Sequence, residues 1–231
     1  MHMLLAYLLF VSLPLLPCLP PGQGELAIRS ATAKSMERQG LVDITSVDST
    51  LRVSLMYGRR DNFTGRILYA DLREAYLHPK AAKALARAQS LLRERRPDLS
   101  LVVYDAARPM SVQQVMWNAV AGTDKSIYVS NPRNGGGMHN YGLAVDLTLC
   151  DAATGDTLDM GTHIDYMGRA SHITDEELLV RQGSISAEAL RNRLLLRSVM
   201  REAGFMPLKT EWWHFNLVSR AVARKYYKAI R

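Results

Sequence analysis

Cysteine is nearly absent: Cys18 and Cys150 are the 2 cysteines among 231 residues. A disulfide-stapled scaffold and a cysteine zinc cluster are therefore excluded, and if Cys18 leaves with an export segment, no internal disulfide is possible in the mature chain. Proline (9) and glycine (15) are too sparse for a disordered chain, and 48% hydrophobic residues are enough for an ordinary core. No internal repeat, low-complexity tract or linker divides the sequence after residue 25, so one domain is expected. Acidic residues are the minority, 22 against 29 Lys and Arg, for a net charge of +7. That excess does not mark a nucleic-acid binder. The basic residues are spread over helical faces such as "KAAKALARAQSLLRERR" and "SRAVARKYYKAIR", and no nucleic-acid motif accompanies them. In an exported protein the excess suits the anionic cell envelope.

The amino-terminal stretch offers no Lys or Arg, but it is apolar from Met3 to about Leu19 before turning to Pro, Gly and Gln. Too short and too broken by proline for a stable membrane span, it reads as an export signal over residues 1–24, with 25–231 as the mature domain and the periplasm as its location. The bland alternative is an apolar helix packed on that domain. "LLPC" loosely resembles a lipoprotein signal, lipidated at Cys18, but Pro17 departs from the small residue usual there, so lipid anchoring is the minority reading.

Further along, "LVDIT" (41–45) alternates like a strand, and "YGRRDNFTG" (57–65) reads as a loop. Pro79 opens a helix that Pro97 stops. "LSLVVYD" is a strand, Ser111 is expected to cap a helix over "VQQVMWNAVA", and "YGLAVDLTL" is a second buried strand. Thr174 and Glu177 have capping-box spacing, and a helix is expected from about Ala187 to Ala203, ended by Gly204. "FMPLKTEWWHFNL" is the last strand candidate, followed by a basic terminal helix. The expected class is α+β: a single domain with a central, mainly antiparallel sheet flanked by helices.

Of the 6 histidines, His139 and His214 sit beside carboxylates in segments dense with glycine and aromatics: His139 precedes Asp146 in "GGGMHNYGLAVDLT", and Glu211 precedes His214 in "EWWH". A catalytic zinc site commonly takes three ligands from His and carboxylate and leaves one position for water. Two imidazoles and one acid meet that need, and the second acid can serve as general base. On composition either acid fills either role. Asp146, on the strand after a Gly-rich approach, is mildly preferred as ligand, and Glu211, with its longer stem, as base. In a regular strand, residues 211 and 214 face opposite ways, so a bulge or strand end is required near Trp212 and Trp213. Arg108 follows a buried strand in "VVYDAARP", where it could clamp a carboxylate or stabilise an oxyanion; an ion pair with Asp105 is the structural alternative.

"GMHNYGLAVD" followed by "EWWH" resembles the paired motifs of the zinc D-Ala-D-Ala peptidases, and the wider match, from about residue 41 to 217, resembles the D-alanyl-D-alanine dipeptidase branch. It includes "YGRRDNFTG", "YDAARP", "TGDTLDMGTHIDYM" and "LRNRLLLRSVMREAGF" in the family's order. The resemblance implies a single zinc ion per chain, held by His139, Asp146 and His214 in a cleft on the sheet, with Glu211 as general base and Arg108 stabilising the transition state. Tyr57 and Asp165 fall where the family binds the ammonium end of a dipeptide. Trp213, by default a core residue, is placed with them on the substrate side. His163 and His172 gain no ligand role. Gly137 stands where the family usually has a serine, which bears on substrate choice. The implied partner is a small dipeptide. A D,D- or L,D-carboxypeptidase acting on peptidoglycan stems, and a non-catalytic envelope-binding module, are the competing functions. Oligomeric state is not legible.

Overall fold

The computed structural model describes residues 29–231. The expected signal, 1–24, and Cys18 lie outside the described residues. In chain order the elements are α1 (Ala31–Arg38), β1 (Val42–Asp43), α2 (Ile44–Val47), β2 (Arg52–Val53), β3 (Tyr76–Leu77), α3 (Pro79–Arg95), β4 (Leu99–Asp105), α4 (Met110–Val120), β5 (Ala144–Asp151), α5 (Glu176–Arg181), α6 (Ala187–Glu202), β6 (Met206–Leu208), β7 (Glu211–Asn216) and α7 (Arg220–Tyr226). Among the described residues, no helix is long and apolar enough to cross a membrane.

The main sheet is open, in the order β2-β4-β5-β7-β6. β4, β5, β7 and β6 pair antiparallel, and β2 joins β4 in parallel. The class is α+β, as expected. Along β5 the pleat sends Val145, Leu147 and Leu149 to one side and Asp146 and Thr148 to the other. Leu101, Val103, Val145, Leu147 and Leu149 are fully buried, and α3 and α6 pack against each other and against the sheet. The periodic positions Leu85, Leu92, Leu196 and Val199 supply the helical side of that core. Both of these helices have a local start signal: His78 caps α3 with Pro79 in its first turn, and the Ser186 hydroxyl caps α6 by accepting from the Ala189 amide at 2.8 Å.

The shorter elements depart from expectation where tertiary partners intervene. "LVDIT" is strand only at Val42–Asp43, because the Asp43 carboxylate accepts from the Thr45 amide at 3.0 Å and starts α2. Ser111 is not a cap. α4 begins two residues earlier, at Met110 behind Pro109, and the Met110 amide donates to the Ile230 carbonyl at 3.0 Å, so the carboxy-terminal segment takes the place of a capping side chain. The Thr174–Glu177 capping box does not form either: α5 starts at Glu176, whose buried carboxylate is drawn inward to Arg197 (2.5 Å), and Asp175 pairs instead with Arg169. "FMPLKTEWWHFNL" is a two-stranded hairpin, β6 and β7, rather than one strand.

Candidate metal centre and substrate cleft

The sheet register lays out the site. Asp105 on β4 pairs with Asp146 on β5, and Asp146 pairs with His214 on β7, so these three side chains form a row across neighbouring strands. The β4–β5 ladder slips between Val103 and Asp105, and that slip brings Asp105 opposite Asp146. The β6–β7 ladder slips as well: Pro207 pairs with Phe215, but the next residue, Leu208, pairs with Glu211. The strand therefore bulges over 212–214, the irregularity that a shared orientation of Glu211 and His214 requires. The Glu211 carboxylate lies 3.9 Å from His214 Nδ1.

His139 reaches the row from the 3-10 turn Met138–Tyr141. Gly142 closes that turn at φ +64, where a Cβ would lie 2.8 Å from a Leu41 methyl and 2.9 Å from the His78 amide, so the close approach of the turn to β3 demands glycine. Asn140 fastens the same turn, donating from Nδ2 to the Arg108 carbonyl at 2.9 Å, while the Arg108 amide donates to the His139 carbonyl at 3.0 Å.

The donor set fits a divalent ion. His139 Nε2 lies 3.1 Å from His214 Nδ1 and 3.1 Å from Asp146 Oδ2, and His214 Nδ1 lies 2.9 Å from Asp146 Oδ1. Three ligand atoms at about 2.0–2.1 Å from a tetrahedral zinc stand about 3.3 Å apart, close to this spacing. The opposite edge of each ring fixes its tautomer. His139 Nδ1 donates to the Ala106 carbonyl at 2.7 Å, and His214 Nε2 donates to Asn216 Oδ1 at 2.8 Å. The two facing nitrogens thus present lone pairs to each other and to a carboxylate, an arrangement that a cation satisfies and that these neutral rings alone do not. Affinity for a divalent metal ion is expected to fall about 10–100-fold in Asn216→Ala, as measured by competition with a chromophoric chelator. Unchanged affinity would show that Asn216 does not orient His214.

Around this cluster lies a cavity of about 420 Å³, lined among others by Tyr57, Arg108, Asp165, Glu211 and Trp213. Burial pushes the Glu211 carboxyl up to about 8, with His214 opposing and Asp146 and Asp165 adding to the rise. Asp165 sits at φ +66, an uncommon backbone for a residue with a side chain, and accepts from the Tyr57 hydroxyl at 2.8 Å. Burial and the Asp146 carboxylate raise Asp165 to about 7, while Tyr57 and Arg108 oppose the shift. Burial, followed by the Asp165 charge, pushes the Tyr57 phenol well above its usual range.

Arg108 makes the ion pair with Asp105 and also faces the cavity, so its structural and functional readings coexist. Its Nε donates to Asp105 Oδ2 at 2.9 Å, Nη2 donates to the same oxygen, and Nη1 donates to Gln113 Oε1 at 2.9 Å. Three of the five guanidinium N–H groups are thereby engaged and two are left over. Burial works against its charge, but Asp105 and the neighbouring tyrosines more than offset that and raise its pKa well above the ordinary arginine value. Trp213 is buried and lines the cavity, whereas Trp212 donates from its indole to Thr162 Oγ1 at 2.8 Å. His163 and His172 stand outside the cluster, bonded to the Ile164 carbonyl and the Tyr128 hydroxyl.

Sequence reasoning missed several supporting groups. Gln113 joins Arg108 to the Ser130 carbonyl, to which its Nε2 donates at 2.8 Å. Tyr69 donates to Asp105 at 2.6 Å, and Asn216 orients His214. Only Asn216, two residues beyond His214, had a local cue. Gln113 and Tyr69 reach the site through packing.

Known proteins resemble this chain over most of its length. A family model described as D-ala-D-ala dipeptidase, of peptidase group M15, matches residues 37–231. The D-alanyl-D-alanine dipeptidase of Escherichia coli K12 is 37% identical over 181 residues, covering 78% of this chain and 86% of that one. The dipeptidase of the same name from Streptomyces coelicolor is 32% identical over 189 residues (73% and 87%), and that from Enterococcus faecalis V583 is 27% identical over 195 residues (77% and 91%).

Proposed function

The chain belongs to the D-Ala-D-Ala dipeptidase family of peptidases, and we propose that it hydrolyses D-alanyl-D-alanine, or a close D,D-dipeptide, with one zinc ion as cofactor. The observation that carries this function is the convergence of His139, Asp146 and His214, with the Glu211 carboxylate 3.9 Å from one of the proposed ligand atoms. A zinc ion held by His139, Asp146 and His214 would supply Lewis acidity and would make a water acidic enough to lose a proton near neutrality.

The protein side chains do the rest. Glu211 accepts a proton from the attacking water and returns it to the departing amine, a task suited to a carboxyl whose pKa burial has moved toward the working pH. Arg108, held by Asp105 and Gln113, directs its remaining N–H groups to the oxyanion that develops on the attacked carbonyl. Asp165 and Tyr57 receive the substrate ammonium, whose charge favours the ionised form of a carboxyl poised near 7. Trp213 walls the substrate side. Residues 1–24 serve as the export signal and 25–231 as the catalytic domain, which works on wall-derived dipeptides in the cell envelope.

The test is a panel of D,D-, L,D- and L,L-dipeptides, each free and N-acetylated, assayed with and without a chelator. Chelator-sensitive cleavage of the free D,D-dipeptides, with the acetylated forms far slower, is expected. Cleavage confined to N-blocked stem peptides would instead indicate a carboxypeptidase, and no hydrolysis at all would indicate a binding module.

A further inference from the structure

A free dipeptide is a zwitterion, and Asp165 and Tyr57 answer only its positive end. A carboxylate carried into a cavity without a counter-charge is strongly disfavoured. Two arginines line the cavity. Arg108 is committed to Asp105 and Gln113, whereas Arg220, at the start of α7, makes no ion pair among the described residues. Its Nη2 donates to the Ser130 hydroxyl oxygen and to the Gly136 carbonyl, both at 3.0 Å. Those bonds occupy both Nη2 protons and aim the guanidinium, leaving its Nη1 donors and its charge for an acceptor. Because the Ser130 hydroxyl accepts from Arg220, its own proton is available to a second acceptor.

Gly137 makes this wall possible. A Cβ at that position would lie 2.9 Å from Ser130 Oγ and 3.2 Å from Ser130 Cβ, so any side chain there would force Ser130 to move. Glycine two residues before His139 thus lets a hydroxyl from another segment line the cavity. The Ser130 backbone is held in turn, since its carbonyl accepts from Gln113, the residue that also holds Arg108.

We propose that Arg220 and Ser130 form the seat for the carboxylate end of the dipeptide, a placement that presupposes the dipeptidase activity proposed above. Arg220 contributes a cation with free Nη1 donors and Ser130 a hydroxyl donor. Together with Asp165 they make the site selective for peptides with both termini free.

The experiment compares kcat and KM for D-Ala-D-Ala and for its carboxy-terminal amide in the wild type, Arg220→Ala and Arg220→Lys, with metal content measured for each. The wild type is expected to favour the free acid. In Arg220→Ala, KM for the acid rises about 10–100-fold with kcat nearly unchanged, the amide is unaffected, and the preference collapses. Arg220→Lys recovers part of it. Arg220 is solvent-exposed, so its loss should leave folding intact. An Arg220→Ala enzyme that keeps the wild-type preference for the acid overturns the carboxylate seat alone. A wild type that cleaves neither compound overturns the dipeptidase function, and the seat with it.

Discussion

Glu211→Gln is expected to keep one zinc ion per chain and to lose about 10²–10⁴-fold in kcat, the usual contribution of a general acid–base residue. The substitution preserves size and removes only the ability to carry a proton. Glu211 is 8% exposed, and burial raises its pKa to about 8, so a neutral amide suits the pocket and folding should be undisturbed. Its carboxylate stands 3.9 Å from His214 Nδ1, farther than the 2.9–3.1 Å spacings within the His139, Asp146 and His214 set, so zinc affinity should not depend on it. Metal analysis together with steady-state kinetics checks both halves. Wild-type turnover would place the base elsewhere, and loss of the metal would make Glu211 a ligand.

His139→Ala is expected to purify without metal and to be inactive. The remaining imidazole and carboxylate offer two of the three donors, and the alanine also abandons the Ala106 carbonyl that His139 Nδ1 occupies. In the wild type, zinc should raise the melting temperature, because an ion that binds only the folded chain stabilises it by mass action, and a chelator should reverse the rise. The variant should show no such response. One zinc per chain in His139→Ala would refute the ligand set.

Legibility of the fold tracked the length of each signal. The helices α3 and α6 repeat their apolar positions over several turns, and Pro79, Pro97 and Gly204 punctuate them, so their extents were readable. The short elements α2, α4 and α5 begin where long-range or competing local bonds place them: the Ile230 carbonyl satisfies Met110, and Arg197 draws in Glu176. No short window of sequence contains both partners of either of these two contacts.

For the site, the sequence by itself determined the stock of chemistry: two histidines, two acids and an arginine in segments rich in glycine and aromatics, with Gly137 two residues before His139. Tertiary structure decided how those groups meet. A slip in the β4–β5 ladder set Asp105 beside Asp146, and a bulge over 212–214 turned Glu211 and His214 toward one cavity. Hydrogen bonds to the Ala106 carbonyl and to Asn216 chose which ring nitrogens face the metal position. The physical reason is that a strand's two-residue period assigns faces only while its register is regular, and a ring's tautomer follows from the acceptor folded against it. Both are properties of paired segments, so neither is written in one segment alone.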